Sequence, residues 1–283
     1  MNRATLKSIP RAVYRAPRTL PDDLEQRRFR TRMRSDPSAP ELVLSPHLDD
    51  AVLDCWGLLA SERPLSVVNV FAGVPPAGNL TLWDAMTGAE DSAARVRARL
   101  EEDAGALARA SRTAHNLANL DAQYRARFAR PRLGELDAAL VEILAGVSRV
   151  HVPAGIGGHP DHRYLRRYGR MLRRAGIPVS LYAELPYCVL HGWPPWVDGR
   201  APEANRNVDA FWLSQLDGVP EIPALRSARV ERLDDAAASA KLAAMRCYAT
   251  QLPCLEYGAR QLLADPEIHR FEVRWDLPPG MRA

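Results

Sequence analysis

Short apolar runs alternate along this chain with longer stretches whose apolar positions recur at helical spacing. The first run, "ELVLS" (41–45), sits between Pro40 and Pro46 and reads as a short buried strand. "AVLDCWGLLASE" (51–62) then predicts a helix, and the β-branched run "LSVVNVFAG" (65–73) a second strand ended by glycine. "DSAARVRARLEEDAGALARA" (91–110) predicts a strongly amphipathic helix with Glu and Arg about one turn apart. "LGELDAALVEILAG" (133–146) is a helix closed by Gly146. "SRVHVPAG" (148–155) and "IPVSLYAEL" (177–185) predict further strands on either side of a basic helix, and a late helix covers 234–252.

Strands alternating with helices predict an α/β fold with a mostly parallel sheet covered on both faces. A single domain is expected over 39–283, preceded by an Arg-rich N-terminal extension over 1–38. The segment from about 186 to 235, with "LPYCVLHGWPPWVDG" at its head, is rich in Pro and Trp and weakly periodic. It reads as a rim or lid, with Tyr187, Trp193 and Trp196 as candidate platforms for a ligand or as packing. No internal repeat is present.

Composition narrows the classes. The chain has 283 residues, 47% of them hydrophobic and 25% charged, as an ordinary globular protein does. No apolar run approaches the roughly 18 residues of a membrane span, and no secretory signal pattern is present. The net charge is +4, carried almost wholly by arginine, since Lys7 and Lys241 are the only lysines. The clusters "QRRFRTRMR" (26–34) and "HRYLRRYGRMLRR" (162–174) read as a solvated extension and the wet face of a helix, so no nucleic-acid partner is expected. Cys55, Cys188, Cys247 and Cys254 form no Cys-x-x-Cys pair, which predicts reduced thiols in a cytoplasmic protein.

The chemistry gathers at two places, each just after a predicted strand, where a parallel sheet collects reactive groups. "SPHLDD" (45–50) puts His47, Asp49 and Asp50 at the mouth of the first strand. Residues three apart in a turn entering a helix point the same way, so His47 and Asp50 can converge on one ion while Asp49 stays free for proton transfer. Equally, Asp49 and Asp50 could simply cap the helix. "GIGGHPDHRYL" (155–165) adds His159, Asp161 and His162, a weak signal alone and a stronger one beside the first cluster. His47, Asp50 and His162 make a three-ligand set suited to zinc with one position open to water. Asp49 would be the general base, and His159 the acid, oriented or charged by Asp161.

At these residues the sequence resembles the LmbE/PIG-L-like family of zinc-dependent de-N-acetylases. "PHLDD" (46–50) and "HPDH" (159–162) stand where that family has its paired motifs. The resemblance continues through "VFAGVPP" (70–76), "WDAMTG" (83–88), "RLEEDAGAL" (99–107), "LDAQYR" (120–125) and "AELPY" (183–187). It implies a Rossmann-like fold and removal of an N-acetyl group from an N-acetylglucosaminyl-type conjugate. It also implies one Zn2+ per chain (or Fe2+) on His47, Asp50 and His162, with Asp49 as base. His159 would stabilise the oxyanion or protonate the leaving amine, with Asp161 behind it, and Arg99 and Asp121 would contact the sugar. Arg99 also reads as half of a helical ion pair with Asp103. Leu48 and Ala51 replace the family's usual Pro and Glu, and Gly157 and Gly158 stand where a tyrosine would precede His159. An amidase acting on a non-sugar or thiol-sugar conjugate would use the same site, and a non-catalytic carbohydrate-binding protein is the contrasting class.

Overall fold

Seven strands form one sheet in the order β3-β2-β1-β4-β5-β7-β6. They are β1 (Glu41–Ser45), β2 (Leu65–Asn69), β3 (Ala114–Asn116), β4 (Arg149–Pro153), β5 (Val179–Tyr182), β6 (Arg229–Arg232) and β7 (Phe271–Asp276). The structure is a computed structural model and describes residues 38–126, 129, 132–202, 206–216, 219, 222, 224–258 and 262–278. Residues 1–37, which hold nearly all of the expected Arg-rich extension, lie outside the described residues.

The first five strands in the order are parallel, and β7 runs antiparallel to both β5 and β6. β1 pairs with β2 on one side and with β4 on the other. The chain therefore reverses its direction of travel across the sheet between β1 and β4. A crevice opens at such a switch point, beyond the carboxyl ends of the strands. "PHLDD" follows β1 and "HPDH" follows β4, so both motifs open onto it.

Strand interiors explain the core. Leu42, Val43, Leu44, Val150, Val152, Val179 and Leu181 are all fully buried, as a sheet covered on both sides requires. Among the helices around it are α1 (Asp50–Asp54), α2 (Ser92–Ala108), α3 (Leu133–Leu144), α4 (Pro160–Arg174) and α5 (Asp235–Met245). α4 buries Leu165, Tyr168, Gly169 and Leu172, one stripe of a 3.6-residue period, while Arg163, Arg167 and Arg174 face outward. Gly169 lets that helix sit close to β4, for a Cβ there would lie 2.6 Å from a Val152 methyl.

Three expectations change in detail, one being that the late helix predicted over 234–252 ends at Met245. The helix predicted over 51–62 breaks at Cys55 into α1 and a short turn, Trp56–Leu59. Glu272 of β7 causes the break by accepting the backbone N–H groups of Trp56 (2.7 Å) and Gly57 (3.0 Å). Its charge is balanced by the buried Lys241 at 2.9 Å. In the Pro/Trp-rich segment, Trp193 and Trp212 are core residues, stacked edge-on at 6.0 Å. Trp193 donates to Ile268 O and Trp196 to Asp209, which commits both indoles to packing and leaves Tyr187 as the one aromatic of the three at the crevice. All four cysteines are free thiols, and no helix among the described residues is long and apolar enough to cross a membrane.

Candidate active site

Ser45, the last residue of β1, organises the turn into α1. Its Oγ donates to His47 O (2.7 Å) and accepts from Ala51 N–H (3.0 Å). Asp49 occupies the helix cap position yet makes no side-chain capping bond. The hydroxyl therefore does the capping, and the Asp49 carboxylate is left over for the cavity it lines. Asp50 turns back to accept the N–H of His47 at 2.8 Å.

Across the crevice, α4 begins with His159 as its cap, Nδ1 accepting Asp161 N–H at 3.3 Å. His162 lies one turn on and is fully buried. Its Nε2 is 3.4 Å from His47 Nδ1, although the two residues are 115 positions apart in sequence. His162 Nε2 is also 3.4 Å from Asp50 Oδ1, and His47 Nδ1 is 3.2 Å from Asp50 Oδ2. Donor atoms around a tetrahedral cation with bonds of about 2.0–2.1 Å are separated by about 3.3–3.4 Å. The three side chains thus fit a small divalent cation in both donor type and spacing. His47 is the hub of the cluster: its donors also lie within 4.8 Å of those of His159 and His162, of Asp49 and Asp50, and of Asp121 and Asp161.

A second layer of carboxylates holds both imidazoles. His162 Nδ1 faces Glu184 Oε1 at 3.3 Å, and Glu184 also accepts the N–H groups of Gly155 and Ile156. His47 Nε2 faces Asp161 Oδ2 at 3.3 Å. Asp161 further accepts Ala122 N–H at 2.8 Å and pairs with Arg125. With a cation at the shared centre, the nitrogens facing Asp161 and Glu184 would be the donors, and His47 Nδ1 and His162 Nε2, beside Asp50, would present their lone pairs to it. Asp161 was expected behind His159. Its carboxylate instead serves His47, because the first turn of α4 aims residue 161 toward the Asp121–Arg125 segment, and only its backbone N–H reaches His159.

Burial and crowding displace the titrations. Burial and the adjacent Asp50 charge push Asp49 up to about 6. Burial opposes ionisation of Asp50 too, but the His162 and His47 rings hold it far below the ordinary carboxylate range. His47 is raised well above an ordinary histidine because Asp121, Asp161 and Asp50 outweigh its burial, and His162 is raised by Asp50 and Glu184 against the same penalty. His159 is lowered to about 3 by burial and by the two neighbouring rings. Against its own burial, Asp161 is pulled down to about 2 by His47 and Arg125.

The cavity over this cluster measures about 250 Å³. Arg99 and Asp121 both line it, 3.9 Å apart, and Arg99 Nε has no hydrogen-bond partner among the described residues. The expected Arg99–Asp103 pair does not form as an ion pair, since Asp103 is held by Asn69 (2.7 Å) and Tyr248 (2.8 Å). Sequence reasoning missed Glu184, Arg125 and Gln251. The first two lie in stretches already noted, "AELPY" and "LDAQYR", but nothing local marked their roles. Tyr187 packs over His159 and His162 at ring distances of 6.2 and 5.4 Å. A Cβ at Gly157, where φ is +82°, would lie 2.6 Å from the Tyr187 Cβ. The absence of a side chain before His159 is what admits this phenol from another segment.

No family model and no curated protein sequence matches this chain. Solved structures do. A deacetylase triple mutant of the teicoplanin biosynthetic pathway is 26% identical with a TM-score of 0.63, over 86% of this chain and 100% of its own. The A40926 pseudoaglycone deacetylase Dbv21 is 26% identical with a TM-score of 0.60, over 87% of this chain and 100% of its own. The zinc-inhibited form of teicoplanin deacetylase Orf2, at 23% identity, TM-score 0.63, and coverage of 86% and 100%, supports the fold.

Proposed function

We propose, for a chain that belongs to the LmbE/PIG-L-like family of zinc-dependent de-N-acetylases, that it hydrolyses the N-acetyl group of an N-acetylglucosaminyl-type conjugate. The observation that carries this reading is that His47 Nδ1 and His162 Nε2 lie 3.4 Å apart, with Asp50 Oδ2 3.2 Å from the first and Asp50 Oδ1 3.4 Å from the second, and the uncapped Asp49 beside them. His47, Asp50 and His162 would hold one Zn2+ per chain, and Fe2+ accepts the same donors. The bound cation supplies a Lewis acid that polarises an amide carbonyl and lets water ionise near neutral pH.

The chain's own groups do the rest. Asp49 takes the proton from the attacking water, which adds to the amide carbon. His159 is neutral at rest and its Nδ1 accepts from Asp161 N–H, so Nε2 carries the proton and donates to the oxygen on which charge develops. The proton gained by Asp49 is then available to the departing nitrogen, the C–N bond breaks, and acetate and a free amine leave. Asp161 and Glu184 hold the two ligand rings in the tautomers that cation binding needs. Arg99 and Asp121 would engage sugar hydroxyls from the far wall. Residues 39–283 would form the catalytic domain behind the Arg-rich segment, and four free thiols suit a reducing, cytoplasmic setting. The deacetylase names of the two similar structures above 25% identity support the reaction class.

The deciding experiment is metal analysis of the purified protein together with acetate release from a panel of N-acetylglucosaminides. Protein loaded with one zinc per chain that releases acetate from none of them would overturn the reading.

A further inference from the structure

Among the described residues, five large hydrophobic side chains are exposed, and four lie in one stretch: Val74 (38%), Leu80 (49%), Leu82 (79%) and Met86 (50%). Leu82 and Met86 are one helical turn apart in the short helix Leu82–Met86, so they share a face. The next residue, Trp83, lines the catalytic cavity. Thr81 donates to Gln123 at 2.7 Å, and Tyr124 donates to Asp84 at 2.9 Å, which ties this segment to the wall that carries Asp121. Charge points the same way. Between Val74 and Ala89 the single ionisable side chain is Asp84, and it is fully buried, in a chain with 25% charged residues. An uncharged apolar ridge thus runs outward from the cavity wall, with Trp83 as the joint. Apolar surface gathered at the edge of a cleft marks a binding function more often than scattered exposed residues do.

We propose that this ridge is a subsite for an alkyl or aryl group attached to the sugar, so that the natural substrate is an amphiphilic N-acetylamino-sugar conjugate. The proposal rests on the deacetylase reading for the sugar and specifies what lies beyond it. The acetamido group enters the cavity toward Asp49 and His159, and the apolar aglycone lies along Trp83, Leu82 and Met86. Burial of as few as two methylenes there suffices for a preference of about tenfold.

The test is isothermal titration of the zinc-loaded protein, in an Asp49→Asn background so that ligand is not consumed. The probes are methyl and octyl N-acetyl-β-glucosaminide, the latter below its micelle concentration. The octyl ligand should bind about tenfold tighter or more. Adding Leu82→Ser and Met86→Ser, two exposed positions at which polar side chains do not disturb the core, should reduce that ratio to below about threefold. A ratio near one, or a ratio unmoved by the two substitutions, overturns the proposal. Cosedimentation with phosphatidylcholine vesicles separates the other source of apolar contact: vesicle binding lost on substitution while the ligand ratio persists makes the ridge a membrane contact and overturns the subsite. Acetate release from the methyl glycoside by the unsubstituted protein reports on the deacetylase reading alone, and its absence would leave the binding ratio to judge the ridge.

Discussion

Glu184 is the residue on which the geometry of the site makes the sharpest demand. One fully buried carboxylate serves three donors, Gly155 N–H, Ile156 N–H and His162 Nδ1–H. Oε1 serves Gly155 and His162 together, and Oε2 serves Ile156 at 3.2 Å. In Glu184→Gln the amide must turn its NH2 toward one of these groups. The less costly orientation sacrifices the bond to Ile156 and sets its N–H against the amide NH2, two buried donors with no acceptor between them, which costs at least about 1–3 kcal/mol of stability. Glu184→Ala strands all three donors and frees the His162 ring to rotate. Loss of a carboxylate behind a ligand imidazole typically weakens metal affinity by about 10–100-fold, or about 1.4–2.7 kcal/mol. Competition of the zinc-free protein with a chromophoric chelator measures that affinity directly, and thermal unfolding reports the stability loss separately. A Glu184→Ala protein that is less stable but binds zinc within twofold of the parent would refute the argument, because the carboxylate would then be serving the loop and not the ligand.

Further outcomes follow from the same geometry. Asp49→Asn should lower kcat by about 10²–10⁴-fold, the usual contribution of a positioned base, while zinc content by elemental analysis stays at the parent level. His162→Ala should lose zinc and keep its circular dichroism spectrum. Because His47 and His162 are raised in the cation-free site, zinc must displace their protons. Apparent affinity should therefore weaken as pH falls through those raised values and strengthen as pH rises, with proton release on binding seen in buffers of different ionisation enthalpy. Asp49, near 6 without a cation, needs its charged form, and a bound cation can only lower that value. The acid limb of kcat/KM should lie at or below about 6 and drop tenfold per pH unit beneath it. Gly157→Ala puts a Cβ 2.6 Å from that of Tyr187 at a φ of +82° and should cost about 1–3 kcal/mol in denaturant unfolding.

Periodicity and motif chemistry were readable one residue after another. The alternation of short apolar runs with helical stripes located four of the five parallel strands, and "PHLDD" and "HPDH" marked their carboxyl ends. Burial pattern and ligand type are properties of a local stretch, so a linear reading can reach them. The strand missed among the parallel set, β3, has only three residues and a partly exposed face, which leaves no period to detect. β6 and β7 lie at the far edge, and β7 is buried without alternation.

What the linear pattern leaves open is which partner each polar group finds. Ser45 takes over the cap and so releases Asp49, Asp161 turns to His47 and away from His159, and Asp103 goes to Asn69 and Tyr248 while Arg99 faces the cavity. Glu272 breaks a helix 215 positions away, and Glu184 gathers a loop and the His162 ring. The physical reason is common to all of these. A buried polar group must be paired, the candidates are many, and the choice depends on distances of a few tenths of an ångström set by how helices dock on the sheet. Composition and spacing name the donors and acceptors, and only the packed chain assigns them to one another.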